Sequence, residues 1–430
     1  MVRLMSGHIH TVHPAVASRA ASLRLIVILS GLMAFASIST DMYLPALPAL
    51  SQAFHTDPGR IQLTLSGFLV GFSLGQLLWG PIGDRYGRRT PIAAGVVLFI
   101  VGSAGCALSG SAAAMTGWRV VQAVGACAGP VLARAMVRDL YARDRSAQML
   151  STLMLVMGVA PLLGPILGGQ VLAVWSWRGI FWVLVALGLV GLVSLLALPE
   201  TLPQNRRTSQ GVRDALFSYV GLVRQRRLLG YAVSGGCFFG GIYAYLAGTP
   251  FAYIEYYRVP AQAYGLLFGI NIAGMMAANL VNSRLVMRVG TDRLFRIGTA
   301  VAALAGIVLA ANARTGFGGL PGLVVPLFFY VSMLGFIVAN SVAGALSAFP
   351  HKAGAASALV GAMHYGTGIF TAAMVGWFAD GTPWAMGWII ALAGCGAFAS
   401  AMLLVRPGVR PGSLPSASGD AATATTPDAP

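Results

Sequence analysis

The sequence predicts an all-α membrane protein of about twelve transmembrane helices in two six-helix bundles. Three observations lead there. Apolar runs of about 20 residues, the length that ~30 Å of hydrocarbon demands at ~1.5 Å per residue, recur along the whole chain. Of its 430 residues 57% are hydrophobic and only 9% are charged, far below the roughly 25% charged of soluble domains. The arginines collect in alternate connections between the apolar runs.

Taken in order, residues 1–21 form a polar tail, and the full-length span that follows, with no clear A-x-A cleavage site, argues against a cleaved signal peptide. The apolar runs are Leu23–Tyr43, Ile61–Pro81, Pro91–Leu108, Ala112–Met136, Leu150–Leu172 and Ile180–Leu198, then Leu229–Tyr253, Tyr264–Arg284, Phe295–Ala311, Leu320–Ala343, Gly354–Phe378 and Trp384–Val405. The first six make a bundle over 22–198 and the last six another over 229–405, joined by a polar linker over 199–228. Residues 406–430, rich in Pro, Ala, Ser and Thr, read as a disordered tail. The halves also echo each other, since Asn282 to Gly290 follows the eighth span as Gly80 to Gly87 follows the second, with Gly87 aligned to Gly290 and Arg85 to Arg288. Asp84 aligns with Met287, so the carboxylate is missing from the second copy. Such a decayed repeat fits two bundles related by an axis along the membrane normal.

Charge sets orientation. Arg85, Arg88 and Arg89, Arg138, Arg143 and Arg145, the run Arg206 to Arg227, Arg284 to Arg296, and Lys352 fall in alternate connections. The intervening ones hold only Arg60, Arg178, Arg258 and Arg314, which places the first set and both termini in the cytoplasm of a multi-pass inner-membrane protein. The net charge of +16 is spread over many short loops, a distribution that serves topology and not nucleic-acid binding. A P-loop pump is excluded: the only lysine, Lys352, has no glycine before it and no hydroxyl after it. Titratable residues are scattered singly, which is unlike an enzyme, and no repeated filter suggests a channel. No cofactor is expected. Cys106, Cys127, Cys237 and Cys395 lie in apolar spans as packing residues, and His8, His10 and His13 lack the carboxylate or cysteine of a metal site.

Between the second and third spans lies Gly80-Pro81-Ile82-Gly83-Asp84-Arg85-Tyr86-Gly87-Arg88-Arg89, a turn that concentrates three arginines and one carboxylate between glycines. The pattern G-x-x-x-D-R-x-G-R-R resembles the signature loop of the major facilitator superfamily. That resemblance implies a secondary transporter whose loop carboxylate helps latch two bundles on the cytoplasmic side. Here Gly80, Gly83, Asp84, Arg85, Gly87, Arg88 and Arg89 would form the gate, with Lys352 before the eleventh helix, whose N-terminal dipole could hold Asp84.

Charges inside spans carry the chemistry, because each costs ~2.5–3.5 kcal/mol at a helix centre on insertion scales. Asp41, near the outer end of the first span, and Arg119, roughly 10 Å into the fourth at the helical rise, have overlapping depths. A carboxylate balanced between desolvation and a nearby cation can take up and release a proton as a cavity changes its exposure; a structural salt bridge is the bland alternative. Arg119-x-x-Gln122 resembles the superfamily's fourth-helix signature, linked in the family to proton transfer, with Ala123 where a glycine is usual. The segment on to Tyr141 looks like the bicyclomycin and chloramphenicol resistance branch (Bcr/CflA) of the drug:proton antiporters. Gly158, Gly164, Pro165, Gly168 and Gly169, with Pro161 between them, resemble the antiporter signature G-x-x-x-x-x-G-P-x-x-G-G, in which Pro161 falls at an unspecified position and which the family associates with export. Two prolines and four glycines in one span also predict a kinked helix with a smooth packing face.

In the second half, Ala247 to Tyr257 and Leu267 to Gly274 again look like that branch, so the resemblance spans both bundles. Glu255 is read as an interface residue and His364 as a packing histidine. Candidates to line a substrate cavity are Tyr43, Phe238, Phe239, Tyr243, Tyr245, Met275, Met363 and Tyr365, since adaptable apolar surfaces accept varied ligands. The expectation is therefore a monomeric, non-enzymatic exporter of small amphipathic compounds coupled to protons. A facilitator for a natural metabolite, or a non-transporting sensor on the same scaffold, are the alternatives.

Overall fold

A computed structural model describes residues 19–141, 143–208, 225–346 and 353–405. The helices are α1 (Arg19–Asp41), α2 (Pro58–Tyr86), α3 (Arg89–Leu108), α4 (Ala112–Leu140), α5 (Arg143–Val174) and α6 (Trp177–Ser194), followed by α7 (Arg226–Pro250), α8 (Ala261–Val289) and α9 (Thr291–Thr315). Helix α10 comes in two pieces, Gly319–Ser332 and Leu334–Leu346, before α11 (Ala353–Trp377) and α12 (Trp384–Leu404). Ten of the described helices are long and apolar enough to cross a membrane, and α5 contributes a shorter apolar stretch, Gly158–Val174. Helices are the spanning element because lipid offers backbone groups no hydrogen-bond partner.

Packing repeats with an offset of six helices. In the first half α1 packs on α5, α3 on α4, and α3 on α6; in the second α7 packs on α11, α9 on α10, and α9 on α12. Between the halves α2 packs on α11, and α5 on α8, each pair the image of the other under the same offset. Burial separates inner from outer helices: 72% of the apolar window is buried in α4 and in α7, against 28% in α6. The outward faces carry Val97, Val101, Val190, Val193, Leu304 and Ile307, apolar side chains suited to lipid.

Antiparallel succession puts the start of α1, the α2–α3, α4–α5 and α8–α9 junctions and the end of α12 on one face, here the basic face. Contacts agree: Arg227 reaches Asp292, and Arg296 donates to the Val405 carbonyl. The halves meet towards the opposite face. There α5 crosses α8 from Gly169 against Ala261 to Leu162 against Gly269, while Gly158, nearer the basic face, has open space beside it. Along α2 and α11, Gly59 meets Gly376, Ser66 Oγ donates to the Ile369 carbonyl at 3.2 Å, and Phe72 lies 4.7 Å from Tyr365.

Three sequence expectations need correction. The stretch from Gly80 to Arg89 is not a loop: α2 runs through Tyr86 despite Pro81, and α3 starts at Arg89. Hydropathy marks where lipid ends, whereas backbone hydrogen bonding carries the helix on into the interface. Of the three glycines only Gly87 adopts positive φ, +93°, matched in the second half by Gly290 at +88°, so the aligned pair breaks the chain at the same point in both repeats. The tenth span is interrupted at Met333, and the seventh ends as α-helix at Pro250 and continues as a π-helical turn, Phe251–Tyr256.

Candidate functional site: a buried carboxylate at the crossing of the halves

Asp41 ends α1, which gives way to a 3-10 turn at Leu44–Ala46. Its side chain is buried and accepts a hydrogen bond from Ser37 Oγ at 2.6 Å, one helical turn back. The glycine-rich segment of α5 forms the wall beside it. A Cβ on Gly164 would lie 2.6 Å from Asp41 Cβ, and one on Gly168 would lie 2.9 Å from Met42 Cα and closer still to the Met42 carbonyl. Only glycine permits this approach. The same helix turns Gly169 to the Ala261 carbonyl and Ile166 to Gly265 of α8, so the signature glycines serve the Asp41 contact and the contact between halves together.

Arg119 does not pair with Asp41. It is wholly buried, donates from Nη1 to the Ser39 carbonyl at 3.1 Å and to Gln122 Oε1 at 2.7 Å, and its guanidinium lies 4.4 Å from the ring centres of both Tyr43 and Phe68. Gln122 passes the network on to Ser103 Oγ at 2.8 Å. The Nε and Nη2 of Arg119 have no hydrogen-bond partner. Among the described residues no ion pair joins Arg119 to any carboxylate. Arg119 and Gln122 are thus brought together within the first bundle, and the turn that follows Asp41, Leu44–Ala46, packs on α7 and α8 of the second.

At the basic face the organising residue is Arg88. It is buried, with Nη1 on Asp84 Oδ1 at 2.7 Å and Nε on Asp139 Oδ2 at 2.8 Å. Its backbone N–H donates to Glu200 Oε1 at 2.8 Å, and that of Arg89 to Glu200 Oε2 at 3.1 Å, so Glu200 caps α3 from 112 residues away. Burial opposes the Glu200 charge, but the N–H groups of Arg88, Leu202 and Arg89 and the Arg207 guanidinium outweigh it and hold the carboxyl below the usual range. Thr208 N–H donates to the Asp84 carbonyl at 3.1 Å, docking the start of the linker on the end of α2. Gly83 packs against Leu132, a Cβ on Gly80 would meet open space, and Arg85 is exposed over the Tyr86 ring. Lys352, the expected partner on the eleventh helix, lies outside the described residues, as do His8, His10 and His13.

Of the cavity candidates, Phe239, Tyr243 and Tyr365 cluster with Phe72 where α7 and α11 face α2, and His364 stacks on Phe239 at 4.4 Å. Met275 and Met363 are half-buried beside the core. Tyr43 and Phe238 sit elsewhere: Tyr43 is fully buried in the first bundle, hydrogen-bonded to Thr64 and against Phe181, and Phe238 stacks on Tyr330 inside the second. Tyr245 is buried with its hydroxyl on Asn271 Nδ2 at 3.0 Å. Sequence reasoning gave no individual role to Asp139, Glu200 and Arg134, the last of which donates from Nε to the Pro130 carbonyl at 2.7 Å. Arg134 and Asp139 lie among other charges at the end of the fourth span, where a topological role suffices to explain them. Glu200 is the only carboxylate in the first ten residues of the linker, a signal that carries no partner with it.

The family model described as Major Facilitator Superfamily matches residues 29–260. The chain is 34% identical over 357 residues to the uncharacterized MFS-type transporter YdgK of Bacillus subtilis (strain 168), covering 82% of this chain and 89% of that one. It is 32% identical over 336 residues to a bicyclomycin resistance protein homolog of Haemophilus influenzae, covering 78% and 84%. Among solved structures, that of a D-xylose-proton symporter superposes with a TM-score of 0.72 at 17% identity, covering 90% of this chain and 97% of the other, a likeness of fold alone.

Proposed function

Because this chain belongs to the Major Facilitator Superfamily and is a multi-pass membrane transporter and not an enzyme, we propose that it exports drugs or other small amphipathic compounds across the inner membrane in exchange for protons. The observation that carries the proposal is the place of Asp41: a buried carboxylate with a single side-chain donor, seated on Gly164 at the point where α5 crosses to the other half. A carboxylate held in so apolar a setting persists where its proton has a use. The relative named as a bicyclomycin resistance protein homolog supports a drug as the cargo.

Transport proceeds by alternating access, the two bundles rocking about the contacts α2–α11 and α5–α8. The basic face is cytoplasmic, with both termini on that side. In the arrangement described, the outer side is the closed one, sealed where Gly59 meets Gly376 and Gly169 meets Ala261. Asp41 carries the proton. Arg119 and Gln122 act within the first bundle, holding the Ser39 carbonyl two residues before Asp41, so their influence on it runs through the end of α1. The Arg88 cluster with Asp84, Asp139 and Glu200 holds the cytoplasmic gate, and the cargo rests against Phe239, Tyr243 and Tyr365 in a protein acting as a monomer.

The test uses inverted vesicles with an imposed pH gradient, following proton release from the lumen as chloramphenicol, bicyclomycin or a cationic dye is added. A compound that drives proton movement with the native chain and not with Asp41→Asn supports antiport. Transport that persists without proton movement rules out the exchange; no response to any compound favours a natural metabolite as cargo. Asp84→Asn slows flux with the protein still inserted, and unchanged flux in that variant removes Asp84 from the gate.

A further inference from the structure

From its own bundle Asp41 receives one side-chain donor, Ser37 Oγ on Oδ2. The Tyr43 hydroxyl is taken by Thr64 and Met115, and Arg119, whose Nε and Nη2 are unpartnered, is turned onto Ser39, Gln122 and two aromatic faces and makes no hydrogen bond or ion pair with Asp41. The glycine wall of α5 offers no donor side chain. An ionised carboxylate has about four lone-pair sites to satisfy, so the anion at this position is short of hydrogen bonds from the first half.

Across the crossing the second half has donors to spare. Three buried phenols lie on the two helices against which the turn after Asp41 packs: Tyr243 and Tyr245 on α7 and Tyr264 on α8. Tyr264 shares its hydroxyl with Thr249 at 3.0 Å. Tyr245 differs. Its oxygen accepts from Asn271 Nδ2 at 3.0 Å, and Asn271, fully buried, leaves Oδ1 without a partner. In that arrangement the phenolic hydrogen has no acceptor among the described residues. With the amide turned over, the phenol would donate to Oδ1 and the Nδ2 hydrogens would be the ones unspent, so the Tyr245–Asn271 pair holds a spare donor in either orientation. A phenol that accepts a hydrogen bond is also a better donor. The turn after Asp41, Leu44–Ala46, packs on both α7 and α8, the helices that carry the pair.

We infer that Tyr245, oriented by Asn271, is the donor that the ionised Asp41 takes from the opposite half, so that the charge state of Asp41 controls a hydrogen bond between the two bundles. The inference deepens the antiport reading and rests on it. The anion draws α1 to α7; a proton on Asp41 supplies its own hydrogen, weakens the bridge and frees the halves to rock. Tyr245 and Asn271 are positioning residues in this scheme, and the proton itself stays on Asp41.

The test is a pH titration of the Asp41 carboxyl C=O stretch by infrared difference spectroscopy on the purified full-length protein in lipid nanodiscs without cargo, the band being assigned by its loss in Asp41→Asn. Removing one hydrogen bond to the anion in Tyr245→Phe moves the titration midpoint to higher pH by about one unit, a tenfold change in proton affinity. Asn271→Leu moves it the same way. Tyr253→Phe, which removes a buried hydroxyl that already lacks a partner, leaves it in place and controls for a general loosening of the helix. A titrating band with an unchanged midpoint in Tyr245→Phe overturns the inference and leaves the antiport reading intact, as does a shift in Tyr243→Phe alone. A chain in which Asp41 never titrates refutes both.

Discussion

Substituting Gly376 tests whether the contact between α2 and α11 is the outer seal. A Cβ at this position would lie 2.8 Å from the Gly59 carbonyl oxygen, 2.9 Å from Gly59 Cα and 3.1 Å from Gln62 Oε1. Ordinary contact begins near 3.4 Å, so Gly376→Ala forces the helices apart by roughly half an ångström, and Gly376→Val by more. Overpacking of this kind costs ~1–3 kcal/mol. The cost falls only on the closed arrangement, and it shifts the balance towards an open outer side by about 5- to 150-fold, at a factor of 10 per 1.4 kcal/mol. Gln62 reports the change, being only 2% exposed beside Gly376. A Gln62→Cys probe, in a chain whose four native cysteines are replaced, is labelled from the outer side by a membrane-impermeant maleimide. The rate rises by at least fivefold in Gly376→Val and less in Gly376→Ala. An unchanged rate in Gly376→Val, with the protein still inserted, refutes the assignment of this crossing as the seal.

Other expectations follow from the same geometry. Gly168→Ala, whose Cβ would meet the Met42 backbone, displaces the end of α1 and lowers transport tenfold or more, whereas Gly158→Ala, with open space beside it, leaves transport within twofold; vesicle flux measures both. Arg88→Ala deprives Asp139 and Asp84 of their shared cation and destabilises the first bundle by about 2 kcal/mol, the scale of hydrogen bonds to charged groups, read as a lowered thermal unfolding midpoint in detergent. Glu200→Gln weakens the cap on α3 and releases the docked segment, so trypsin cuts after Arg206 and Arg207 several-fold faster; an unchanged rate discounts the docking. Because the folded Glu200 carboxyl lies below its unfolded value, its contribution is complete at neutral pH. It is lost as the pH falls through the ordinary glutamate range of ~4.3 and on through the folded value, which hydrogen exchange of the 200–208 peptide follows.

How much could be read without the fold depends on the kind of property. The spans were legible because an apolar run of about 20 residues has one stable use. The break at Gly87 was legible in its repeat at Gly290, and both have positive φ. The end of α2 was not, since the polar residues Asp84 and Arg85 lie in the helix, and polarity alone does not end a helix that has reached the interface. Asp41 and Arg119 were both marked by charge in an apolar span, and both are buried. Their similar depths suggested a pair, but depth along two helices leaves open the direction each side chain takes around its own axis. Arg119 turns into the first bundle towards Tyr43, Phe68 and Gln122, whereas Asp41 turns onto Ser37 and the Gly164 face of α5.

The sequence by itself determined the class of fold, the repeat, the basic face and the identity of the charged residues that lipid cannot tolerate idle. Each of these is a property of a residue and its neighbours along the chain. The tertiary structure alone decided the partners: Glu200 on the N–H groups of Arg88 and Arg89, Gly164 and Gly168 on Asp41 and Met42, Gly59 on Gly376, and Asn271 on Tyr245. Such contacts join helices by the rotation of each about its axis and by the closeness that glycines permit. Rotation and closeness come from the packing of all twelve helices at once, and hydropathy carries neither.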